Sequence, residues 1–167
     1  MTLLARLGRH QGGAAAAELA LCLPMMMALI FGSMEAGNYM LTEHKVIKGV
    51  RDGARYAARQ PFTAFDCSSN SVADADVEGA IKAVTRSGQP SGNAKVRVRN
   101  WGSNDADVSV TVDCDTTTTT GLYADHGSAP RVRVSTAFAY PSLLGALGFD
   151  TGGIAVRAES QAAVMGL

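Results

Sequence analysis

The sequence predicts an α+β fold: a long N-terminal transmembrane and stalk helix, a second short helix, and a four-stranded antiparallel sheet. Three observations predict it. Residues 19–34 carry no charge, apolar positions then recur at three- and four-residue steps, and beyond residue 90 the apolar period falls to two. At 167 residues the chain has room for one ordinary domain plus an appended element, since length per domain is on the order of 150 residues. Lys and Arg number 15, as do Asp and Glu, so the formal net charge is zero. The chain as a whole has no basic surplus to attract a phosphate backbone, and nucleic acid is not an expected partner.

The first element begins with the apolar stretch. Residues 19–31 have no polar side chain, and charge is absent over the 16 residues 19–34. With Ala14, Ala15, Ala16 and Ala17 the stretch reaches 21 residues and holds a single acid, Glu18. At 1.5 Å per residue this is about 31 Å, close to the ~30 Å of bilayer hydrocarbon, so it can span a membrane. Arg6 and Arg9 form a basic leader, which makes a cleaved secretory signal the alternative. Against it, Phe31-Gly32-Ser33-Met34-Glu35 puts bulky or charged groups where signal peptidase needs small ones. A core helix of a soluble protein is disfavoured because the run is apolar on all faces.

Beyond Met34, Met40, Glu43, Val46, Ile47, Val50, Ala54 and Ala57 recur with helical spacing, and Pro61 blocks propagation. The spacing predicts one helix over 14–59, 46 residues and about 69 Å long, greasy all round in its first half and amphipathic in its second. Pro24 is expected to kink it. Gly32, Gly37, Gly49 and Gly53 are each expected to weaken it, by roughly 1 kcal/mol against Ala. Lys45, Lys48, Arg51, Arg55 and Arg59 read as a solvated basic face beside Glu43 and Asp52, with attraction to anionic lipid or an acidic neighbour as the alternative.

Ser71 with Asp74 three residues on is a variant of the capping box. Val77, Ala80, Ile81 and Val84 follow at helical steps before Gly88 and Pro90, which predicts a second helix at about 72–86. Four strands are expected around Val96 and Val98; around Val108, Val110 and Val112; around Val132, Val134, Phe138 and Tyr140; and from Ile154 through Val156 and Ala158 to Val164. Such alternation makes one sheet face greasy and one wet. The amphipathic half of the first helix, together with the second helix, is the expected cover for the greasy face.

Glu18 is the anomaly, since a carboxylate in hydrocarbon costs on the order of 3 kcal/mol on insertion scales and calls for a partner. If a peptidase cuts after Gly13, the new α-amine of Ala14 is a cation able to pair with Glu18 of a neighbouring copy. Here the chain resembles the type IV prepilin superfamily, and within it the TadE-like pseudopilins of the Flp (tight adherence, Tad) pilus system. The resemblance rests on Gly13-Ala14-Ala15-Ala16-Ala17-Glu18-Leu19-Ala20-Leu21, Leu23-Pro24, Gly32-Ser33-Met34-Glu35-Ala36-Gly37 and Val50-Arg51-Asp52-Gly53-Ala54-Arg55-Tyr56-Ala57-Ala58. It implies a pilin-like fold and cleavage by a membrane prepilin peptidase between Gly13 and Ala14. It also implies registration of subunits by Glu18, with other pilin or pseudopilin subunits and the Tad assembly machinery as partners. Flp-type prepilins usually follow that Glu with Tyr, whereas Leu19 stands here, which points away from the major pilin.

The expected organisation is a basic leader over 1–13, open to cleavage, a transmembrane and stalk helix over 14–60, and an extracytoplasmic α+β head over 61–167. Basic residues on the two sides of the apolar stretch leave orientation undecided. Cys67 and Cys114 make an even pair in the polar portion and are expected to form a disulfide, which favours an oxidising compartment such as a periplasm. Cys22, inside the apolar stretch, reads as a small apolar filler.

The remaining chemistry is sparse. Asp74-x-Asp76-x-Glu78-Gly79 opens like a calcium loop, but Thr85 stands where the bidentate Glu belongs. Asp113 and Asp115 flank Cys114 ahead of five threonines; a solvated loop is the favoured reading and an oxygen cage for calcium the alternative. His10, His44 and His126 have no ligand partners at metal spacing, and no nucleophile elbow, phosphate loop or dinucleotide fingerprint is present. No metal, cofactor, small-molecule substrate or enzymatic activity is therefore expected. The expected role is a structural minor pseudopilin or assembly component anchored in the bacterial cytoplasmic membrane, with its head in the periplasm or in a pilus. The alternative is a membrane-tethered binding module, although a tether has no use for an acid inside hydrocarbon five residues after a glycine.

Overall fold

The structure, a computed structural model, describes residues 11–91, 94–102, 107–117, 120–146, 148–149 and 153–166. Helix α1, Gln11–Ala58, is 48 residues long and unbroken through Pro24, which makes it about 72 Å from end to end. It closes with tightened turns, Arg59 N–H donating to Tyr56 O at 3.2 Å and Gln60 N–H to Ala57 O at 3.0 Å, before Pro61. The helix has two regimes. Where burial is described, residues 13–34 are exposed throughout, whereas Thr42, Val46, Gly49, Val50, Gly53, Ala54, Ala57 and Ala58 form a buried stripe at three- and four-residue steps. Lys45, Lys48, Arg51, Arg55 and Arg59 are all exposed, most of them opposite that stripe.

After a 3-10 turn at Phe62–Ala64, strands β1 (Phe65–Asp66) and β2 (Ser71–Val72) pair as a short antiparallel hairpin. Helix α2 spans Ala75–Ser87. Its cap is Asp74 rather than Ser71, because the Asp74 carboxylate accepts from the N–H groups of Asp76 at 2.9 Å and Val77 at 3.3 Å while Ser71 is paired with Asp66 in the hairpin. Gly88 ends α2 in the left-handed conformation, φ 88°, its N–H donating to Val84 O at 2.8 Å.

The expected single four-stranded sheet is replaced by that hairpin and a separate three-stranded sheet. In the latter, β3 (Val108–Asp115), β4 (Ala129–Ala139) and β5 (Ala155–Ala163) are antiparallel in the order β3-β4-β5. The segment around Val96 and Val98 is no strand. Its backbone is tied to the end of α2, Arg97 N–H donating to Arg86 O at 2.9 Å, and its Arg97 guanidinium reaches Asp52 of α1 at 2.7 Å. The period-two pattern there has a different cause. Val98 is buried in the core beside Trp101, and Val96 is left exposed. At the outer edge of β3, Asn70 of the hairpin turn accepts a hydrogen bond from Val112 N–H at 3.1 Å. A short helix, α3 (Leu143–Ala146), follows β4.

Alternation on the sheet is as expected. Val132, Val134, Thr136, Phe138 and Tyr140 point inward from β4 and its end, in register with Val108 and Val112 of β3 and Val156 of β5. The other face carries Arg133, which bridges to Glu159 at 2.7 Å. Helix α1 lies across β5 and β4, and α2 packs on α1 and reaches β3. One core results, holding the α1 stripe, Ile81, Trp101 and the inward valines.

Candidate functional site

The free-standing half of α1 holds Gly13, Ala14 and Glu18 within its first turns. A Cβ added at Gly13 would meet nothing within 4 Å. Glu18 is exposed and makes no hydrogen bond or ion pair among the described residues. Ala14 and Glu18 are one helical turn apart, about 6 Å along the axis. Nothing from the packed body reaches this end, because Glu35, where packing begins, lies 17 residues or about 25 Å further along. Cys22 is a free, exposed cysteine on the same apolar surface.

At the other end of the molecule Cys67 and Cys114 are joined by a disulfide, with Cα atoms 5.6 Å apart. It links the β1–β2 turn to the end of β3. Asp115 accepts hydrogen bonds from Thr117 N–H at 2.8 Å and Thr117 O–H at 2.6 Å, an Asx-type turn, and Asp113 faces solvent. Asp74 is spent on the α2 cap, and Glu78 pairs with Lys82 at 2.6 Å. His44 is exposed on α1, His126 stacks on Phe62 with centroids 4.0 Å apart, and His10 lies outside the described residues. Among the described residues no group of three or more His, Cys, Asp or Glu side chains could hold a metal ion.

The sequence reading missed the junction between the two halves of α1. Glu35 is the first charge after the apolar run, and its carboxylate accepts the backbone N–H groups of Leu143 at 3.1 Å and Leu144 at 3.1 Å. Asn38 donates to the Tyr140 hydroxyl at 2.6 Å, and that hydroxyl donates to Glu35 O at 3.3 Å. Tyr39 meets Tyr140 edge to face, with centroids 5.2 Å apart. Burial pushes the Tyr140 phenol above its ordinary value and the nearby Glu35 carboxylate adds to the rise, so it stays a protonated donor. The only local signal was Ser142, whose hydroxyl accepts from Gly145 N–H at 2.9 Å and marks a short helix start.

Residues 13–55 match the family described as TadE-like protein. Over this segment the chain is similar to TadE-like proteins. The match begins at Gly13, covers Glu18, the apolar run and the Glu35 junction, and ends one turn before α1 does. The apolar half of this TadE-like helix is long enough to cross a membrane and is unburied, as a single-pass anchor requires. Comparison with curated proteins and with solved structures returned no match.

Proposed function

We propose that this TadE-like protein is a structural minor pseudopilin or assembly component of an Flp/Tad pilus. In this reading it is anchored in the cytoplasmic membrane by α1, carries its head outside, and has no catalytic role. One observation carries the reading: Glu18 stands without a partner on the exposed apolar part of α1. A lone carboxylate in hydrocarbon costs on the order of 3 kcal/mol on insertion scales, and its attraction to an ammonium strengthens as the dielectric falls. The partner is the Ala14 α-amine of a neighbouring copy or related pilin, freed when prepilin peptidase cuts between Gly13 and Ala14. The chain's own amine is a poor partner, being about 6 Å along the same rigid helix and drawn toward the headgroups.

Intact-mass measurement of protein from a host with its own peptidase should find residues 1–13 missing. Glu18→Ala should insert into membranes as well as the unaltered chain while failing to co-purify with pilin partners. Normal assembly with Glu18→Ala would remove the registration role and leave a tethered binding module as the better reading.

A further inference from the structure

The pole of the head nearest the apolar half of α1 is itself apolar. Strand β5 fixes which pole this is. Ile154, just before β5, accepts from Tyr140 N–H at 2.9 Å beside the Glu35 junction, and Met165 just after it donates to Ala58 O at 2.7 Å. The sheet thus runs alongside α1 from Glu35 to the end of the helix, and Leu143 and Leu144, shortly after β4, lie at the level of Glu35. There Leu143 and Leu144 line a cleft of about 180 Å³ with Phe31, Met34 and Glu35. Phe149 N–H donates to Leu144 O at 3.2 Å, which holds Phe149 in the same turn, and the residue is 63% exposed.

We propose that Leu143, Leu144 and Phe149 seat the head on the lipid headgroup region of the bilayer that α1 spans. The inference rests on the reading of α1 as a membrane anchor. Chain continuity names the occupant: Phe31 and Met34 belong to the charge-free run that enters hydrocarbon, and Leu143 and Leu144 share one cleft with them. Among the described residues at this level the Glu35 carboxylate is matched, taken up by the N–H groups of Leu143 and Leu144. Half-buried Tyr39 sits at the same level, packed edge to face on the buried Tyr140, and is the ring type that collects at membrane interfaces. Exposed Phe149, with half-buried Leu143 and Leu144 continuous with the exposed Phe31 and Met34 of a spanning helix, makes an interfacial surface. The head is then held against the membrane and does not swing freely on a stalk.

The test uses the full chain in vesicles of phosphatidylcholine and phosphatidylglycerol containing lipids brominated either near the headgroup or near the chain ends. Phe149→Trp reports the loop, Met25→Trp reports the anchor, and the unaltered chain, whose sole tryptophan Trp101 is buried, sets the baseline. The expected result is a blue-shifted Phe149→Trp signal that loses most of its intensity to shallow bromine and is shielded from aqueous acrylamide. Met25→Trp should be quenched by deep bromine. Quenching of Met25→Trp with an acrylamide-accessible, bromine-insensitive Phe149→Trp signal would overturn the inference and leave the anchor standing. Shielding of Phe149→Trp from both quenchers would overturn it in favour of a neighbouring copy as the cover. If Met25→Trp ignores bromine, the anchor reading fails and this inference falls with it.

Discussion

Gly53 of α1 and Thr85 of α2 meet at a point where no side-chain carbon fits between the two helices. A Cβ at Gly53 would collide with the Thr85 hydroxyl, and one at Gly49 would lie 2.5 Å from the Thr85 carbonyl oxygen and against the Trp101 ring. The two glycines are four residues apart, so they open one groove along α1 in which α2 lies. Thr85 is fully buried there, its hydroxyl donating to Ile81 O at 2.8 Å.

Glycines in one helix therefore have opposite substitution effects. Gly53→Ala should destabilise the head by roughly 1–3 kcal/mol through overpacking. Gly32→Ala, where a Cβ would meet nothing within 4 Å, should leave the head unaffected and favour the helix by up to about 1 kcal/mol. Thermal unfolding in detergent, followed by near-ultraviolet circular dichroism, should show a lowered midpoint for Gly53→Ala alone.

The Cys67 to Cys114 bridge closes a separation of 47 residues, for which loop-closure entropy alone is worth roughly 4 kcal/mol. Non-reducing peptide mapping should recover the two peptides linked and Cys22 free. Reduction should lower the unfolding midpoint of the unaltered chain, and it should have no effect on a Cys67→Ser, Cys114→Ser double variant.

Trp101 holds the irregular segment before β3 in the core. Its ring stacks on Phe138 with centroids 5.7 Å apart, and its indole N–H donates to the Thr136 hydroxyl at 2.9 Å. Trp101→Phe removes that hydrogen bond and leaves a small void, an expected loss of about 1–3 kcal/mol. A urea titration by far-ultraviolet circular dichroism measures it.

Asp66 supplies a pH test. Its carboxylate accepts the Ser68 hydroxyl at 2.7 Å, the Ser69 hydroxyl at 2.7 Å and the Ser68 N–H at 2.8 Å. These bonds, the Ser68 hydroxyl first, hold its pKa down from 3.8 to about 2. The folded value is below the unfolded one, so the contribution of Asp66 is present above pH 3.8 and is lost as pH falls toward 2. A carboxyl-carbon NMR titration should give a midpoint near 2, and Asp66→Asn should remove this acid-range dependence of the hairpin.

The sequence by itself determined the long helix, the place where its burial starts, and the three ladder strands. Each of these is written in a local period: apolar on all faces where no part of the head covers the helix, three and four where one face is covered, and two on a half-buried sheet. Only the tertiary structure decided what neighbouring elements do to a local pattern. Val96 and Val98 alternate as a strand would, yet the Arg97 backbone bonds to the end of α2 and its guanidinium to Asp52, so Val98 packs in the core, Val96 stays exposed, and no ladder forms. Ser71 has a capping spacing, but pairing with Asp66 left the cap to Asp74. Gly49 and Gly53 read as weak points in a helix until α2 is laid across them. Glu35 and Leu143 are 108 residues apart in the chain. No period links positions that far apart, and their contact exists because β4 and β5 run beside α1 and bring Leu143 to the level where the charge-free run of the helix ends.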